Sequence, residues 1–378
     1  MRAGRVALYA GGFLGPFGGG VVTVLIPDLR DALDTTTAGA AATLTVYLIP
    51  FALLQLVSGT IGERIGLART VRTAYVVYAL ASAGVALTST LGPFLALRGL
   101  QGAANAFTTP LLVAALADIT PRPTLGRAMA AFAAVQTIGI VMAPLIGGIA
   151  GAIDYRLAFI VPAIAAVVLA MAPLPAHRRD DDTVPTLRSA LTRQTRLLSA
   201  FALAAYLSTV GVGFLVALRA ADSFGLSAET RGLLLAGFGF AGMLAGRPVG
   251  NLIDKRGPLT TLLIGAVASA VAIPLVGLAP SAGLLAATWA LAGVASQTVW
   301  ATVYTLAVDA APANRAGAVS IVGACRFTGN ALAPLVWLPL FNTHEWLPFV
   351  GAGVLLVLLS VFALRQSQAP RPGASATA

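Results

Sequence analysis

Gly59-Thr60-Ile61-Gly62-Glu63-Arg64-Ile65-Gly66 returns 191 residues later (59 to 250) as Gly250-Asn251-Leu252-Ile253-Asp254-Lys255-Arg256-Gly257. Both copies read Gly, apolar residue, acid, base, Gly, and both stand where one long apolar segment ends and another begins. In the same register Asp118 answers Asp309, Pro121 answers Pro312 and Gly126 answers Gly317. One residue out of step, Gly139, Ala143 and Pro144 answer Gly329, Ala333 and Pro334. A period near half the chain is far too long for a solenoid. Two similar halves, each threaded repeatedly through a membrane, is how many carriers are built.

Composition agrees. The chain is 58% apolar and 10% charged, with mean hydropathy +0.87, whereas soluble domains carry about 25% charged residues. Too few charges remain to cover a water-facing surface. No cleavable signal peptide is expected, because the first apolar run is too long for one. The net charge of +10 is spread over short loops, which points to membrane orientation rather than to nucleic acid. A single cysteine, Cys325, excludes an intramolecular disulfide and a cysteine metal cluster. His177 and His344 lie far apart in sequence, so neither a metal nor another cofactor is expected.

Twelve apolar segments follow, at about 6–29, 38–61, 70–88, 91–117, 127–150, 157–174, 197–218, 230–253, 259–279, 281–307, 317–341 and 346–364. Nearly all are long enough to cross about 30 Å of hydrocarbon. They predict an all-α polytopic membrane protein of two six-helix bundles, 1–175 and 197–365. The hydrophilic stretch 176–196 is the expected linker, and the Pro-, Ala- and Ser-rich 366–378 the expected disordered tail. With the N-terminus placed in the cytoplasm, 17 basic residues fall on the cytoplasmic side and only Arg30, Arg156, Arg219 and Arg231 outside. The positive-inside rule therefore puts both termini and the linker in the cytoplasm, in the cell membrane.

These residues resemble the major facilitator superfamily over essentially the whole chain. The doubled stretch is similar to its Gly-x-x-x-Asp-Arg-x-Gly motif, with Glu63 in place of Asp and Leu67-Ala68 interrupting the trailing bases. Arg98-Gly99-Leu100-Gln101-Gly102 resembles its Arg-x-x-Gln-Gly motif. Ala143-Pro144-Leu145-Ile146-Gly147-Gly148 resembles the Gly-Pro-x-x-Gly-Gly signature of its drug:proton antiporters, with Ala for the first Gly. The resemblance implies twelve helices, rocker-switch alternating access and a cavity lined by spans 1, 4, 7 and 10. It also implies that Glu63, with Arg64, gates against the start of span 11 near Arg315–Gly317. Asp254, with Lys255, would gate against the start of span 5 near Gly126–Arg127. There each carboxylate would face the positive end of a helix, and Gly59, Gly66, Gly250 and Gly257 would allow close backbone approach. The bland alternative is a turn with ordinary orienting charge.

Three arginines lie inside spans, where an isolated charge costs roughly 2.5–3.5 kcal/mol on insertion scales. Arg247 is close enough to the end of span 8 to snorkel. Arg98 shares a helical face with Gln101, Asn105 and Thr108, a stripe that should line a cavity or a partner helix. Arg326 lies deepest, and its repeat mate is Gln136. Direct binding of substrate competes, for both Arg98 and Arg326, with structural pairing to carbonyls or Asn330. Softer cavity candidates are Gln297, Trp300 and Tyr304 on span 10, Tyr206 and Thr209 on span 7, and Phe13 and Phe17 on span 1. Gly11, Gly15 and Gly19 read as a close-packing strip. Pro16 is expected to bend span 1, and Pro144 and Pro334 to kink spans 5 and 11.

No Asp or Glu stands in the middle of a span, so Asp28, at the end of span 1, is the candidate for proton coupling. The alternative is a solvated residue at a helix end. Two readings of function follow. One is proton-coupled efflux of a small organic molecule; the other is uptake, by symport or exchange, of an anionic metabolite held by Arg98 and Arg326. A membrane enzyme is disfavoured, since no paired carboxylates, metal ligands or nucleophile–base set occurs within the spans. Expected partners are the substrate, protons and the lipid bilayer, not nucleic acid, and the chain is expected to act as a monomer.

Overall fold

A computed structural model describes residues 2–174 and 187–368. Most of the expected linker falls on 175–186, outside the described residues, but Leu187–Ala190 form a short helix before span 7. Among the described residues ten helices are long and apolar enough to cross a membrane: Gly4–Ala32, Thr37–Gly59, Leu67–Leu87, Leu91–Asp118, Ala131–Ile153, Arg193–Asp222, Ala228–Arg256, Pro258–Leu278, Ala282–Ala310 and Gly317–Phe341. The shorter apolar helices Leu157–Met171 and Leu347–Val361 supply spans 6 and 12. The last helix continues to Gln368, so residues 366–368 of the expected tail are helical. With twelve crossings both described ends lie on one face, the terminal face; the other is called distal.

Helix starts are set by local chemistry. Thr36, Thr192, Ser227 and Asn314 each accept a hydrogen bond from the backbone N–H three residues on, at 3.1, 3.0, 3.4 and 2.9 Å, satisfying an orphan donor of the first turn. The doubled stretch is not a loop, as its apolar boundaries implied, but the last turn of a helix. Thr37–Ile65 is ended by Gly66 at φ +101° and Ala228–Arg256 by Gly257 at φ +78°, a left-handed region that glycine adopts without penalty. The next helix begins at once, at Leu67 and at Pro258.

The repeat also sets the tightest helix crossings. A Cβ on Gly102 would strike the Tyr47 carbonyl, and one on Gly293 that of Phe238. Gly139 lies equally close to the Phe13 carbonyl, and Gly329 to that of Leu203. The strip on span 1 is used as its spacing suggested: Gly11 faces Tyr75, Gly15 faces Asn105 and Thr109, and Gly19 faces Tyr47.

Three spans depart from regular α-helix in mid-membrane. Span 1 passes through a 3₁₀ turn at Val21–Leu25, span 4 turns between Asn105 and Thr109, and span 7 breaks at Val210–Val212. The irregularity in span 1 follows Pro16 by five residues, and the helix runs on through that proline. Helices likewise run through Pro144 and Pro334. Carbonyls at the breaks find side-chain donors: Thr108 Oγ1 bonds Asn105 O at 2.7 Å, and Trp337 Nε1 bonds Leu207 O at 2.8 Å.

Each bundle is held by its own crossings, and the two meet along span 5 against span 8 and span 2 against span 11. One apolar core joins both bundles in the distal half, including Phe17, Val21, Leu25, Leu29, Phe214–Leu218, Trp289 and Trp337. Toward the terminal face that core divides. One part belongs to the first bundle, with Phe327 and Ala331 of span 11 added, and the other to the second bundle alone. Among the described residues the two bundles thus share one core at the distal face and have largely separate cores toward the terminal one.

Candidate functional site

Two ion pairs join the bundles at the distal face. Asp28 accepts from Arg231 Nη2, and Arg30 Nη1 lies 3.4 Å from Asp222. They differ in setting. The Arg231 and Asp28 side chains are 7% and 23% exposed, while Arg30 and Asp222 are 29% and 39% exposed. Exposed pairs contribute about 0–1 kcal/mol, so the covered pair dominates. It lies beside the crossing of spans 5 and 8, where a Cβ on Gly232 would strike the Pro144 carbonyl and sit 3.0 Å from Gly148 Cα. Arg231 Nη1 also bonds Leu226 O at 3.2 Å. The alternative of a merely solvated helix end therefore fails: Asp28 is a bridging residue. Its partner, read from sequence only as an outer loop charge, gave no local signal.

Lower down, Thr45 Oγ1 bonds Ala331 O at 2.7 Å, and the rings of Phe51 and Phe327 meet edge to face at 4.9 Å. Among the described residues, the inter-bundle hydrogen bonds and ion pairs Arg30–Asp222, Thr45–Ala331 and Asp28–Arg231 lie in the distal half. On the terminal side a Cβ on Gly59 or Gly250 would meet no described residue within 4 Å. Asp254 is exposed and makes no ion pair among the described residues. No described residue makes the close approach expected at these two glycines. The side chains of Glu63 and Arg64, and of 122–127 and 315–316, lie outside the described residues.

Arg98 and Arg326 occupy opposite kinds of site. Arg98 is 1% exposed inside the first bundle. Its guanidinium lies 4.3 Å from the Tyr47 ring centroid and donates to Gln101 Oε1 at 2.7 Å. Gln101 passes the chain of bonds to Ser82 at 2.6 Å. Asn105 donates to Tyr47 OH at 2.8 Å and to Gly15 O at 3.1 Å. The stripe therefore packs against partner helices, and in this state it faces no opening. In the second bundle the equivalent contact is apolar: Trp289 stacks on Phe238 at 4.4 Å, where the first bundle has Arg98 over Tyr47.

Arg326 is half-buried. Its guanidinium carbon stands 3.7 Å from the Trp300 ring centroid, 4.3 Å from Phe327 and 5.0 Å from Tyr206. Nη1 donates to Tyr206 OH at 3.2 Å. Trp300 in turn meets Tyr206 at 5.6 Å and Tyr304 at 5.5 Å. The expected partners, carbonyls or Asn330, are replaced by rings, whose negative faces attract a guanidinium. So Tyr206, Trp300, Tyr304 and Arg326 are brought together. Gln136 and Gln297 are half-buried, and Gln297 Cβ faces Gly242. Phe327 and Phe51 went unnoticed in the sequence, where isolated phenylalanines in apolar helices carry no signal.

A family model described as Major Facilitator Superfamily matches residues 8–201 and again 197–378. The MFS-type transporter EfpA of Mycobacterium tuberculosis is 30% identical over 142 residues, 37% of this chain and 27% of the relative; the chain thus spans about a quarter of that protein's length. The multidrug efflux protein YfmO of Bacillus subtilis is 26% identical over 330 residues, covering 84% of this chain and 81% of the relative. Among solved structures, an inward-facing bacterial homologue of the human lysosomal transporter Spinster superposes with TM-score 0.75 at 16% identity, covering 96% of each chain.

Proposed function

The chain belongs to the Major Facilitator Superfamily, a multi-pass membrane transporter of small molecules and not an enzyme, and from that premise we propose that it is a proton-coupled efflux carrier. The terminal face is cytoplasmic in this reading, as the distribution of basic residues requires. The structure is then the inward-open, loading state. Efflux is favoured by the signature Ala143–Gly148 and by YfmO, which aligns with most of the chain.

One observation carries the coupling. Asp28 is the more enclosed of the two carboxylates described between the bundles, bound to Arg231 of the other bundle at the distal face. Other charged groups around the pair are Arg30 and Asp31 on span 1, Asp222 on span 7 and Glu229 on span 8. When the bundles part on that side, the carboxylate loses its guanidinium. In the proposed cycle a proton bound at Asp28 excludes re-pairing with Arg231, so the distal face recloses only after the proton has left.

A test is transport in inverted vesicles. An imposed gradient, acid inside, should drive uptake of substrate, and collapsing it with a protonophore should stop uptake. Gradient-independent accumulation would remove the coupling; substrate movement only into right-side-out vesicles would favour the anion-uptake reading, which Arg326 supports.

The doubled stretch is the proposed gate of the opposite state. Asp254 sits at the negative end of its own helix, where a carboxylate is poorly placed, so its favourable partner must come from another helix. We expect Asp254→Asn to leave this state intact and to weaken the outward-open one. Labelling of Cys325, the only cysteine, by a membrane-permeant maleimide should then rise about 2–5-fold, as suits a contact worth about 0.3–1 kcal/mol. Unchanged labelling would leave Asp254 as an orienting charge only.

A further inference from the structure

We propose that Arg326 and its aromatic surround form the binding site for an amphipathic organic anion, a carboxylate or sulfonate carried on an aromatic body. This rests on the transporter reading above only in taking the parted side of the molecule as the route of entry.

The chemistry of the site points one way. A guanidinium presents five N–H donors in a planar fork. Among the described residues Arg326 makes one side-chain hydrogen bond, from Nη1 to Tyr206 OH, and its buried Nε has no partner. No acidic side chain pairs with Arg326 among the described residues. A half-buried cation without a counter-ion is a standing electrostatic cost. A carboxylate placed on the fork would offset it through two parallel charge-assisted bonds.

The rings supply the rest. Trp300, Tyr206 and Phe327 already face the guanidinium, and Tyr304 extends the aromatic surface while remaining 47% exposed. Rings of this kind would also attract a quaternary ammonium if the space between them were empty. Here Arg326 fills that space, so a cationic ligand meets like charge. The aromatic wall is therefore left to pack against the apolar body of an anion.

Contrast with Arg98 fixes which arginine this is. Arg98 also has unpartnered nitrogens, Nε and Nη2, but it is 1% exposed and enclosed by Tyr47 and Phe159. It is closed to any ligand in the state that must load one. Arg326 is the accessible cation.

Phe327 links binding to the bundles. Its ring contacts the guanidinium and, at 4.9 Å, Phe51 of the first bundle. A ligand that repositions the guanidinium acts on a contact between the two bundles.

The experiment is equilibrium binding to the purified full chain in detergent, read by tryptophan fluorescence, with benzoate, salicylate and 2-naphthoate as anionic probes. Tetraphenylphosphonium is the cationic control. The expected result is saturable binding of at least one aromatic carboxylate, weakened about 10–100-fold in Arg326→Gln, the range for a lost charge-assisted pair. Arg326→Lys should retain part of the affinity as a point charge. Tetraphenylphosphonium should bind no better to wild type than to Arg326→Gln. Should Arg326→Gln fail to fold, Arg326→Lys still tests the fork, and Trp300→Phe should abolish the signal while equilibrium dialysis still detects the ligand. Three results would overturn the proposal: no carboxylate binding to folded wild type, equal affinity in Arg326→Gln, or displacement of the carboxylates by tetraphenylphosphonium. Binding is measured without a gradient, so it survives failure of proton coupling or of efflux direction, and its own failure leaves both standing.

Discussion

Asp28→Asn is expected to abolish gradient-driven transport while leaving the twelve-helix fold intact. The Asp28–Arg231 pair is the most enclosed ionic contact between the bundles. Removing one partner of a buried pair leaves the other charge uncompensated, at about 3–5 kcal/mol. In this protein that cost falls on the closed distal face, because Arg231 remains 5% exposed with only Leu226 O to bond. The variant should therefore shift toward the state with the distal face open, and Cys325 labelling from the terminal side should fall. Two effects are mixed in that variant, the lost latch and the lost proton site. The double variant Asp28→Asn/Arg231→Gln separates them. It removes the stranded cation, so the closed state should recover, as the labelling rate reports. Transport should still ignore the gradient, since the carboxylate proposed to bind the proton is gone. Full gradient-driven transport by Asp28→Asn would refute the assignment, and recovery of coupling in the double variant would reduce the pair to a latch.

Gly232→Val should produce the second largest effect, by sterics alone. Spans 5 and 8 cross with backbone against backbone at Gly148 and Gly232. A Cβ there would strike the Pro144 carbonyl, and a main chain cannot swing aside as a side chain can. Overpacking of this kind costs about 1–3 kcal/mol, roughly 5–150-fold in the balance between states. Closure of the distal face should be lost in that proportion, with Cys325 labelling falling and the inward-open state depleted. Gly250→Val is the control: a Cβ there meets no described residue within 4 Å in the present state. It should leave this state unharmed and, if Gly250 packs closely when the terminal face shuts, drive labelling the other way. Opposite signs would establish that the two faces close alternately. Equal signs would show that both substitutions act merely by weakening the fold.

Much of this was legible in the chain. Long apolar stretches leave few structural choices once water is excluded, since each backbone group must be satisfied within its own helix. Span positions followed from that constraint and agreed with the helices to within a few residues. Gly66 and Gly257 were read as sites of close backbone approach; that they end one helix and admit the next at positive φ emerged only from the structure. The breaks in spans 4 and 7 were not. Thr108-Thr109-Pro110 and Gly211-Val212-Gly213 lie inside unbroken hydropathy, and satisfaction of the freed carbonyls by Thr108 and Trp337 depends on side chains in their folded positions.

The sequence by itself determined the frame: a duplicated, twelve-span membrane fold, with arginines and aromatics where the two copies differ. Those are properties of one residue at a time, of hydropathy and of spacing, and they survive without knowledge of neighbours. Only the tertiary structure decided which charge meets which. Asp28 and Arg231 are 203 residues apart, and neither carries a local mark of the other. It also sealed Arg98 beneath Tyr47 and left Arg326 half-open among rings, although both read alike as buried cations. The doubled stretch shows the same limit. Its glycine caps and its acids are written in the chain, but what Asp254 meets depends on how far apart the bundles stand, and that distance is a property of the packed molecule in one of its states.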